Sequence, residues 1–332
     1  MCIQHLKHPL QSALLISGFS ITFSASFFRR FGKGTVCSNE ILMSESLSEE
    51  QFRAAIELSR RPGIGAAKFK SLVDQYGSPA EAFRQSFKSE SDSILPKKNF
   101  SRSQVDSWWS LLPSIGFTYY GAPDYPKSLT LISEPPPYLF RKGVLWPIPS
   151  IAVGIVGPRN CSKEGAYFAR KLAARLSALG VLIVSGSASG IDSAAHQGAS
   201  EGGGSSSLVT AAGIDIVYPK ENQVLFSKVA KQGCLLTELL PGTPPRYSFF
   251  PTRNRIIVGI TDAMIFVEGK LGSGTATSMD HALRQKRPIF TWMGSPRQDL
   301  REIPEKLLEN GAILLQDENP EAILEKVTPR LV

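Results

Sequence analysis

Positively charged and aromatic side chains alternate in one segment of the chain, PGTPPRYSFFPTRNRIIVG, at positions 241–259. Arginines neutralise phosphates and aromatic rings stack on unpaired bases, a combination typical of proteins that bind single strands without reading their sequence. The candidate contacts in this segment are Arg246, Phe249, Arg253 and Arg255. In the alternative interpretation the rings are core, Arg253 pairs with Glu238 and Asn254 caps a helix. We favour that alternative for Phe250 but not for Phe249 or Arg246.

Two further cations follow predicted strands. Arg159 lies in the turn GPRNCS after the strand IAVGIVG, where its guanidinium can grip a phosphate with two hydrogen bonds. The alternative is a salt bridge from Arg159 to an internal acid. Lys220 directly follows the Tyr218-Pro219 pair, after a third strand. Both cations are expected at the edge of the sheet where ligands bind.

Two loops rich in small residues, SGSASGID at 185–192 and GKLGSGTAT at 269–277, each lead into a predicted helix. Backbone amides in such loops approach anions closely, and the helix N-terminus adds positive potential. The candidate anion contacts are Gly186, Ser187, Ser273, Gly274 and Thr275. Lys270 stands too early for a Walker loop, and a GxGxxG fingerprint is missing, so NTP hydrolysis and NAD chemistry are disfavoured.

Asp192 and His196 lie four residues apart on one predicted helical face. Such a pair can act as a general base with its orienting acid. Equally, Asp192 can cap the helix and His196 can be a buried hydrogen-bonding residue. We favour the structural interpretation and assign no catalytic residue.

The four cysteines are widely separated and no histidine has zinc-ligand spacing, so no disulfide, metal site or cofactor is expected. A reducing compartment, the cytoplasm, fits this pattern best.

The elements that must position these residues begin at position 151. Short apolar runs alternate with amphipathic stretches, which predicts a mostly parallel, doubly wound α/β sheet. The predicted strands are IAVGIVG, VLIVSG, SSLVTA, CLLTEL, AMIFVE, PIFTWM and AILL. The predicted helices cover 162–179, 190–201, 221–232, 252–260, 274–286, 301–310 and 319–327. Ligands of such sheets bind at the carboxyl ends of the strands.

A helical region is predicted at 43–120, with Ser48 as an N-cap. Its glycine-dependent turn, Pro62 to Gly65, is followed by Lys68, and exposed amides at such a hairpin can touch nucleic-acid phosphates. A simple helix packing unit is an equally good interpretation. The proline-dense stretch from 121 onwards is interpreted as the connection to the sheet, which assigns 121–332 to the second domain.

Composition is consistent with two globular domains, since 332 residues exceed the usual size of one core. The net charge is +8, with 37 Lys and Arg against 29 Asp and Glu, and it weakly favours polyanionic partners.

Residues 1–42 are apolar, serine-rich and acid-poor, with Glu40 as their only acid. They could be a secretory signal, a transit peptide or an over-called start before Met43; we favour the last and expect a tail outside the fold. A membrane partner is not expected.

The sequence resembles the DNA-processing DprA/Smf family. The resemblance rests on GIVGPRNCS, SGSASGIDSAAHQGA, GIDIVYPKEN, FPTRNRIIVG and VEGKLGSGTATSMDHALRQKRPIF, in the family's order, within a match over about 47–328. It implies an extended Rossmann-like domain that binds single-stranded DNA, forms a homodimer, loads the RecA recombinase in natural transformation, and performs no catalysis. It also implies that Arg159 and Lys220 line the DNA pocket, that Arg246 and Phe249 form a basic-aromatic pair, and that the N-terminal region is a SAM-like or helix-hairpin-helix module.

The chain departs from the family pattern in places. Ser189 stands where relatives carry an arginine, which removes one charge from that loop. The winged helix that many relatives carry at the C-terminus is not expected here. Two rival functions remain: a nucleotide-processing enzyme of the phosphoribohydrolase type, and a pure interaction module. The first normally carries PGGxGTxxE, whereas the loop here, GKLGSGTATS, lacks both the proline and the glutamate.

Overall fold

The computed structural model describes residues 47–87, 101–144 and 151–327. All of them fall within one structural unit, residues 37–332. The predicted tail, 1–42, lies outside the described residues. Within the described ranges, none of the helices has the length and apolar character needed to cross a bilayer.

The described chain starts with helices α1 (Glu49–Ser59), α2 (Ala66–Tyr76), α3 (Pro79–Ser86) and α4 (Arg102–Leu111). Ser48 caps α1 as predicted, since its hydroxyl accepts the Gln51 N–H at 3.2 Å. The turn between α1 and α2 depends on Gly63, whose φ of +80° disfavours residues with a Cβ. The predicted hairpin therefore forms, with α2 beginning directly after Gly65.

Nine strands of the described residues form one sheet in the order β1-β2-β6-β5-β4-β3-β7-β8-β9. The strands are β1 (Gly116–Tyr119), β2 (Tyr138–Gly143), β3 (Ala152–Val156), β4 (Leu182–Ser185), β5 (Ser206–Val209), β6 (Cys234–Thr237), β7 (Ala263–Phe266), β8 (Ile289–Trp292) and β9 (Ile313–Leu315). Strands β3 to β9 pair in parallel, whereas β1 with β2 and β2 with β6 are antiparallel. The mostly parallel α/β architecture is thus confirmed.

The helices that connect the sheet are α5 (Lys127–Thr130), α6 (Lys163–Ala178), α7 (Ile191–Glu201), α8 (Gln223–Gln232), α9 (Phe249–Gly259), α10 (Gly274–Arg284), α11 (Glu302–Glu309) and α12 (Glu321–Lys326). From β3 the chain runs outward through β4, β5 and β6, then returns to the other side of β3 with β7. Because parallel crossovers are right-handed, the two halves place helices on opposite faces. The carboxyl ends beside β3 are therefore the expected ligand edge.

Strands β1 and β2 were not predicted. Their segment was interpreted as the end of the helical region and a proline-rich connection, yet Phe117 pairs with Phe140 and Phe140 pairs with Thr237 of β6. The prolines at 135–137 lie before β2 and leave its hydrogen bonds intact. The proposed boundary at 120 stays a prediction, although β1 precedes it and still belongs to the sheet.

Candidate nucleic-acid interface

The turn after β3 presents Arg159 at the carboxyl edge of the sheet. Behind it, Ser162 caps α6 by accepting the Gly165 N–H at 2.8 Å. Glu268, which is fully buried, accepts hydrogen bonds from both the backbone N–H and the hydroxyl of Ser162. These bonds fix the end of the turn, while Arg159 itself is exposed. Among the described residues Arg159 makes no ion pair within 4 Å, although its charge helps to lower the pKa of the buried Asp192 carboxyl against the effect of burial. The role of Arg159 in binding a phosphate stays a prediction.

Phe250 supports the Arg159 guanidinium. The guanidinium carbon of Arg159 lies 5.1 Å from the centre of the Phe250 ring, and that of Arg253 lies 6.0 Å from the same centre. The ring of Tyr218 is 5.9 Å away. Phe250 is half-buried, so its interpretation as a core residue misses a role in positioning Arg159. The sequence offered one signal for this contact: Phe250 precedes Arg253 by three residues on the same helix, and residues at that spacing are neighbours on the helix surface.

Arg253 lies beneath this edge and is not a surface residue. Only 6% of it is exposed, and its guanidinium donates to the carbonyls of Val209 at the end of β5 and of the Asn254 side chain. Burial lowers the pKa of Arg253 to about 10. The nearby carboxylate of Asp192 acts in the opposite direction and raises this pKa. Arg253 therefore remains a cation at neutral pH and contributes positive potential from below the edge.

Asp192 and His196 do not form an acid–base pair. The Asp192 carboxylate accepts the Ala188 N–H at 3.3 Å, and burial raises the pKa of Asp192 to about 6. His196 Nε2 donates to the Gly186 carbonyl at 3.0 Å, and burial lowers the pKa of His196 to about 4. His196 Nδ1 has no hydrogen-bond partner within the described ranges. The structural interpretation of this pair agrees with these contacts, although Gly190, not Asp192, is the N-cap of α7.

The loop after β4 is more closed than the sequence suggested. Gly186 and Ser187 are both buried, so the Ser187 hydroxyl is withdrawn from the surface. A Cβ at Gly186 would collide with the Asp192 carboxylate and the Arg253 guanidinium. This glycine therefore makes room for the protein's own side chains, and a contact between its backbone amide and a phosphate stays a prediction.

Lys220 reaches the same edge through a short 3-10 turn, Lys220–Asn222. The Asn222 side chain donates to the Ser187 carbonyl at 2.9 Å and to the Ser193 hydroxyl at 3.2 Å. These bonds tie the turn to the loop after β4, while Lys220 stays exposed.

Arg246 and Phe249 extend this edge at the start of α9. The Arg246 guanidinium lies 6.0 Å from the centre of the Phe249 ring and is exposed, whereas Phe249 is half-buried. Between them Tyr247 is 92% exposed, an unusual state for a tyrosine that makes no ring contact in the described residues. We call Arg159, Lys220, Arg246, Phe249 and Phe250 the cationic rim.

Arg255 is excluded from the rim, contrary to the sequence prediction. Its guanidinium makes two hydrogen bonds to the Glu238 carboxylate, at 2.7 and 2.6 Å, and a third to the Glu134 carbonyl at 2.8 Å. Only 5% of Arg255 is exposed. The sequence-based alternative paired Glu238 with Arg253, whereas its partner in the structure is Arg255. Asn254 is not a cap either; it donates to the Gly274 carbonyl and the Thr277 hydroxyl.

The second small-residue loop lies on the other side of β3. Ser273 caps α10 without a side-chain bond, Gly274 is exposed, and Thr275 is buried. Lys270 of this loop pairs with Asp299 at 2.6 Å, and the same carboxylate accepts Arg297 at 3.0 Å. Hydrogen bonds to both of these cations lower the pKa of Asp299 to about 2. Of the three predicted contacts here, the side chain of Thr275 is withdrawn from the surface.

Comparisons with known proteins identify the family and the fold of this chain. Protein Smf of Synechocystis is 37% identical over 205 residues, 59% of this chain and 50% of that protein, so the chain spans about half of that relative's length. The X-ray structure of DNA processing protein A from Streptococcus pneumoniae matches with a TM-score of 0.65 and 27% identity, covering 86% of this chain and 95% of that chain.

A structure of DNA processing protein A from Helicobacter pylori, described for its single-stranded DNA binding mode, matches with a TM-score of 0.57 and 24% identity. It covers 64% of this chain and 98% of that chain, and at this identity the likeness shows the fold. The sequence model for DNA recombination-mediator protein A matches residues 116–328, well over half of the chain. The chain therefore belongs to the DNA recombination-mediator protein A family.

Proposed function

We propose that the cationic rim binds single-stranded DNA without reading its sequence. The observation that carries this proposal is the exposed Arg159 guanidinium held over the Phe250 ring, with Lys220 and Arg246 exposed on the same edge. Family membership supports it, and so does the described DNA-binding mode of the Helicobacter pylori relative.

The rim suits an unpaired strand better than a duplex. Guanidinium and ammonium groups neutralise backbone phosphates, whereas an aromatic face such as that of Phe249 needs an unstacked base. In a duplex the bases are stacked on each other and the ring has no partner. Binding therefore favours single strands and tolerates any sequence.

We further propose that the protein acts by binding rather than by turnover, hands the strand to the RecA recombinase as a homodimer, and does so in the cytoplasm. The recombination-mediator family supports the RecA step. Asp192 and His196 make separate hydrogen bonds to backbone groups, which gives no support to an acid–base mechanism.

The test is a fluorescence-anisotropy titration of the full chain with a labelled oligonucleotide, either alone or annealed to its complement. We expect clear binding of the single strand and weaker binding of the duplex. Equal affinity for both, or no binding of the single strand, would contradict the proposal.

The RecA step needs its own measurement. RecA filament growth on the same oligonucleotide should start sooner in the presence of the protein. An unchanged lag, with single-strand binding intact, would limit the function to DNA binding.

A further inference from the structure

A cleft of about 480 Å³ opens beside the start of α6. Three aromatic residues line it: Tyr167 and Phe168 from α6, and Trp292 from the end of β8. The other lining residues belong to the first turn of α6 and to the turn that follows β9. We call this feature the aromatic cleft. None of the described residues that line it belongs to the cationic rim, so the two surfaces are distinct.

The aromatic rings of the cleft are held in place by the fold. The rings of Phe168 and Trp292 stack, with their centres 4.7 Å apart and their planes at 16°. Phe168 is buried, whereas Trp292 is partly exposed. A Cβ at Gly294 would collide with the indole, so the backbone at Gly294 passes directly against that ring. Tyr167 is 58% exposed. The cleft therefore offers aromatic surface that a ligand does not have to order first.

The charge of the cleft is negative. Glu164, Asp317 and Glu318 contribute three carboxylates, against the single ammonium of Lys163. None of the three carboxylates forms an ion pair in the part of the chain that the structure describes. Asp317 accepts the Asn319 N–H at 2.9 Å, which fixes the turn after β9. The whole chain carries a charge of +8, so this excess of acids is local. It repels the phosphates of a nucleic acid and attracts a cation.

A guanidinium group fits both properties of the cleft. It is planar, it stacks on aromatic faces, and it donates pairs of hydrogen bonds to carboxylates. Tryptophan is the ring that attracts cations most strongly. The aromatic surface already has one cation beside it, since the Lys171 ammonium lies 5.5 Å from the centre of the Tyr167 ring. A second, incoming cation therefore has the Trp292 ring and the carboxylates as its partners.

The indole N–H of Trp292 indicates what kind of molecule carries this guanidinium. Among the described residues it makes no hydrogen bond, and an indole N–H can only donate. A polyamine offers further donors and no acceptor, so it leaves this group unpaired. A peptide offers main-chain carbonyls beside its cationic side chain. The cleft therefore fits a segment of protein better than a small cation.

We infer that the aromatic cleft is the docking site for an arginine-bearing segment of a partner protein. The guanidinium lies against the Trp292 ring and bonds to the carboxylates of Glu164 and of the turn after β9, and a carbonyl of the segment accepts the indole N–H. Docking at this cleft does not depend on the proposed DNA binding, since the rim contributes no residue to it. The protein could then hold a strand and a partner at the same time.

The test is an NMR titration of the full chain, labelled with ¹⁵N, with the peptide acetyl-Gly-Ser-Gly-Arg-Gly-Ser-Gly-amide. The chain has four tryptophans, and the spectrum of Trp292→Phe identifies the indole N–H signal of Trp292. We expect this signal to shift saturably with the arginine peptide. The same peptide with glutamine in place of arginine should leave it unmoved.

Two variants test the two properties of the cleft. Asp317→Asn combined with Glu318→Gln should bind the peptide about fivefold more weakly, the effect of losing two exposed ion pairs. The matched control combines Glu305→Gln with Glu325→Gln, which removes two carboxylates from exposed positions outside the cleft lining and should bind as the wild type does. Tyr167→Leu, at an exposed position, should bind about threefold more weakly because it loses an aromatic face.

Several results would overturn the assignment. They are a Trp292 signal that does not shift, an equal shift with the glutamine peptide, and equal weakening in the two double variants. A shift with protein concentration alone would make a second copy of the chain the occupant. Spermidine binding as tightly as the peptide would make it a small cation, and an equal shift with a short single-stranded oligonucleotide would make it DNA. Each of these excludes an arginine-bearing partner as the specific ligand.

Discussion

Replacing Arg159 should change the salt dependence of DNA binding by an amount that the rim defines. Arg159, Lys220 and Arg246 are its three exposed cations. Each phosphate neutralised on a single strand contributes about −0.7 to the slope of log affinity against log salt. Three contacts give a slope of about −2.1, and Arg159→Ala should reduce it to about −1.4. Between 50 and 200 mM salt, affinity should then fall about 18-fold for the wild type and about 7-fold for the variant.

The assay is anisotropy with one oligonucleotide at four or more salt concentrations. The control is Arg175→Ala, which removes the same charge from an exposed position in the last turn of α6, at the opposite edge of the sheet. Its slope should match that of the wild type. An unchanged slope for Arg159→Ala, or an equal reduction for Arg175→Ala, would mean that the whole-protein charge and not the rim binds the strand.

Three further predictions concern stability. Between pH 4 and 6 the folded state holds a proton on Asp192, whose pKa is about 6, while the unfolded state has lost it, so the contribution of Asp192 to the free energy of unfolding falls as pH rises. His196, whose folded pKa is about 4, is neutral in the folded state and protonated in the unfolded state over this range, so its contribution rises with pH. Asp192→Asn should therefore steepen the rise of the unfolding free energy with pH by up to about 1.4 kcal/mol per pH unit in that window, measured by urea titrations; parallel profiles would contradict this. Glu238→Gln should cost about 3–5 kcal/mol because it strands the buried Arg255 charge, and adding Arg255→Met should restore part of it; a double variant as unstable as the single one would argue against the pair. Gly198→Ala should cost about 1–3 kcal/mol in urea unfolding, since its Cβ would collide with a carbonyl oxygen of α6; an unchanged midpoint would be inconsistent with that close packing.

The parallel part of the sheet could be predicted from the sequence because its strands are buried on both faces and therefore uniformly apolar. Every run predicted as a strand after position 150 contains one of β3 to β9. Strands β1 and β2 were not predicted because they are only four and six residues long and are flanked by polar and proline-rich segments, so they do not form a uniformly apolar run. Their pairing depends on Phe117 and Phe140 meeting across chain segments that no local pattern connects.

The exposed members of the rim could be predicted from residue type, but the buried arginines could not. Arg253 and Arg255 lie on the same helix as Arg246's neighbour Phe249, and arginine is normally a surface residue. Only the arrangement of β5, β6 and α9 places acceptors at Val209 and Glu238 within reach of their guanidinium groups. Residue identity specifies a charge, whereas the fold decides whether that charge faces solvent.

Strand β1 also determines where the chain can be cut. A fragment that begins at 121 would keep β2 but lose the neighbour that pairs with it from Gly116 to Tyr119. The main-chain groups of β2 and the ring of Phe140 would then form an uncovered border, which invites edge-to-edge aggregation. A truncated protein that retains the sheet should therefore start ahead of Gly116.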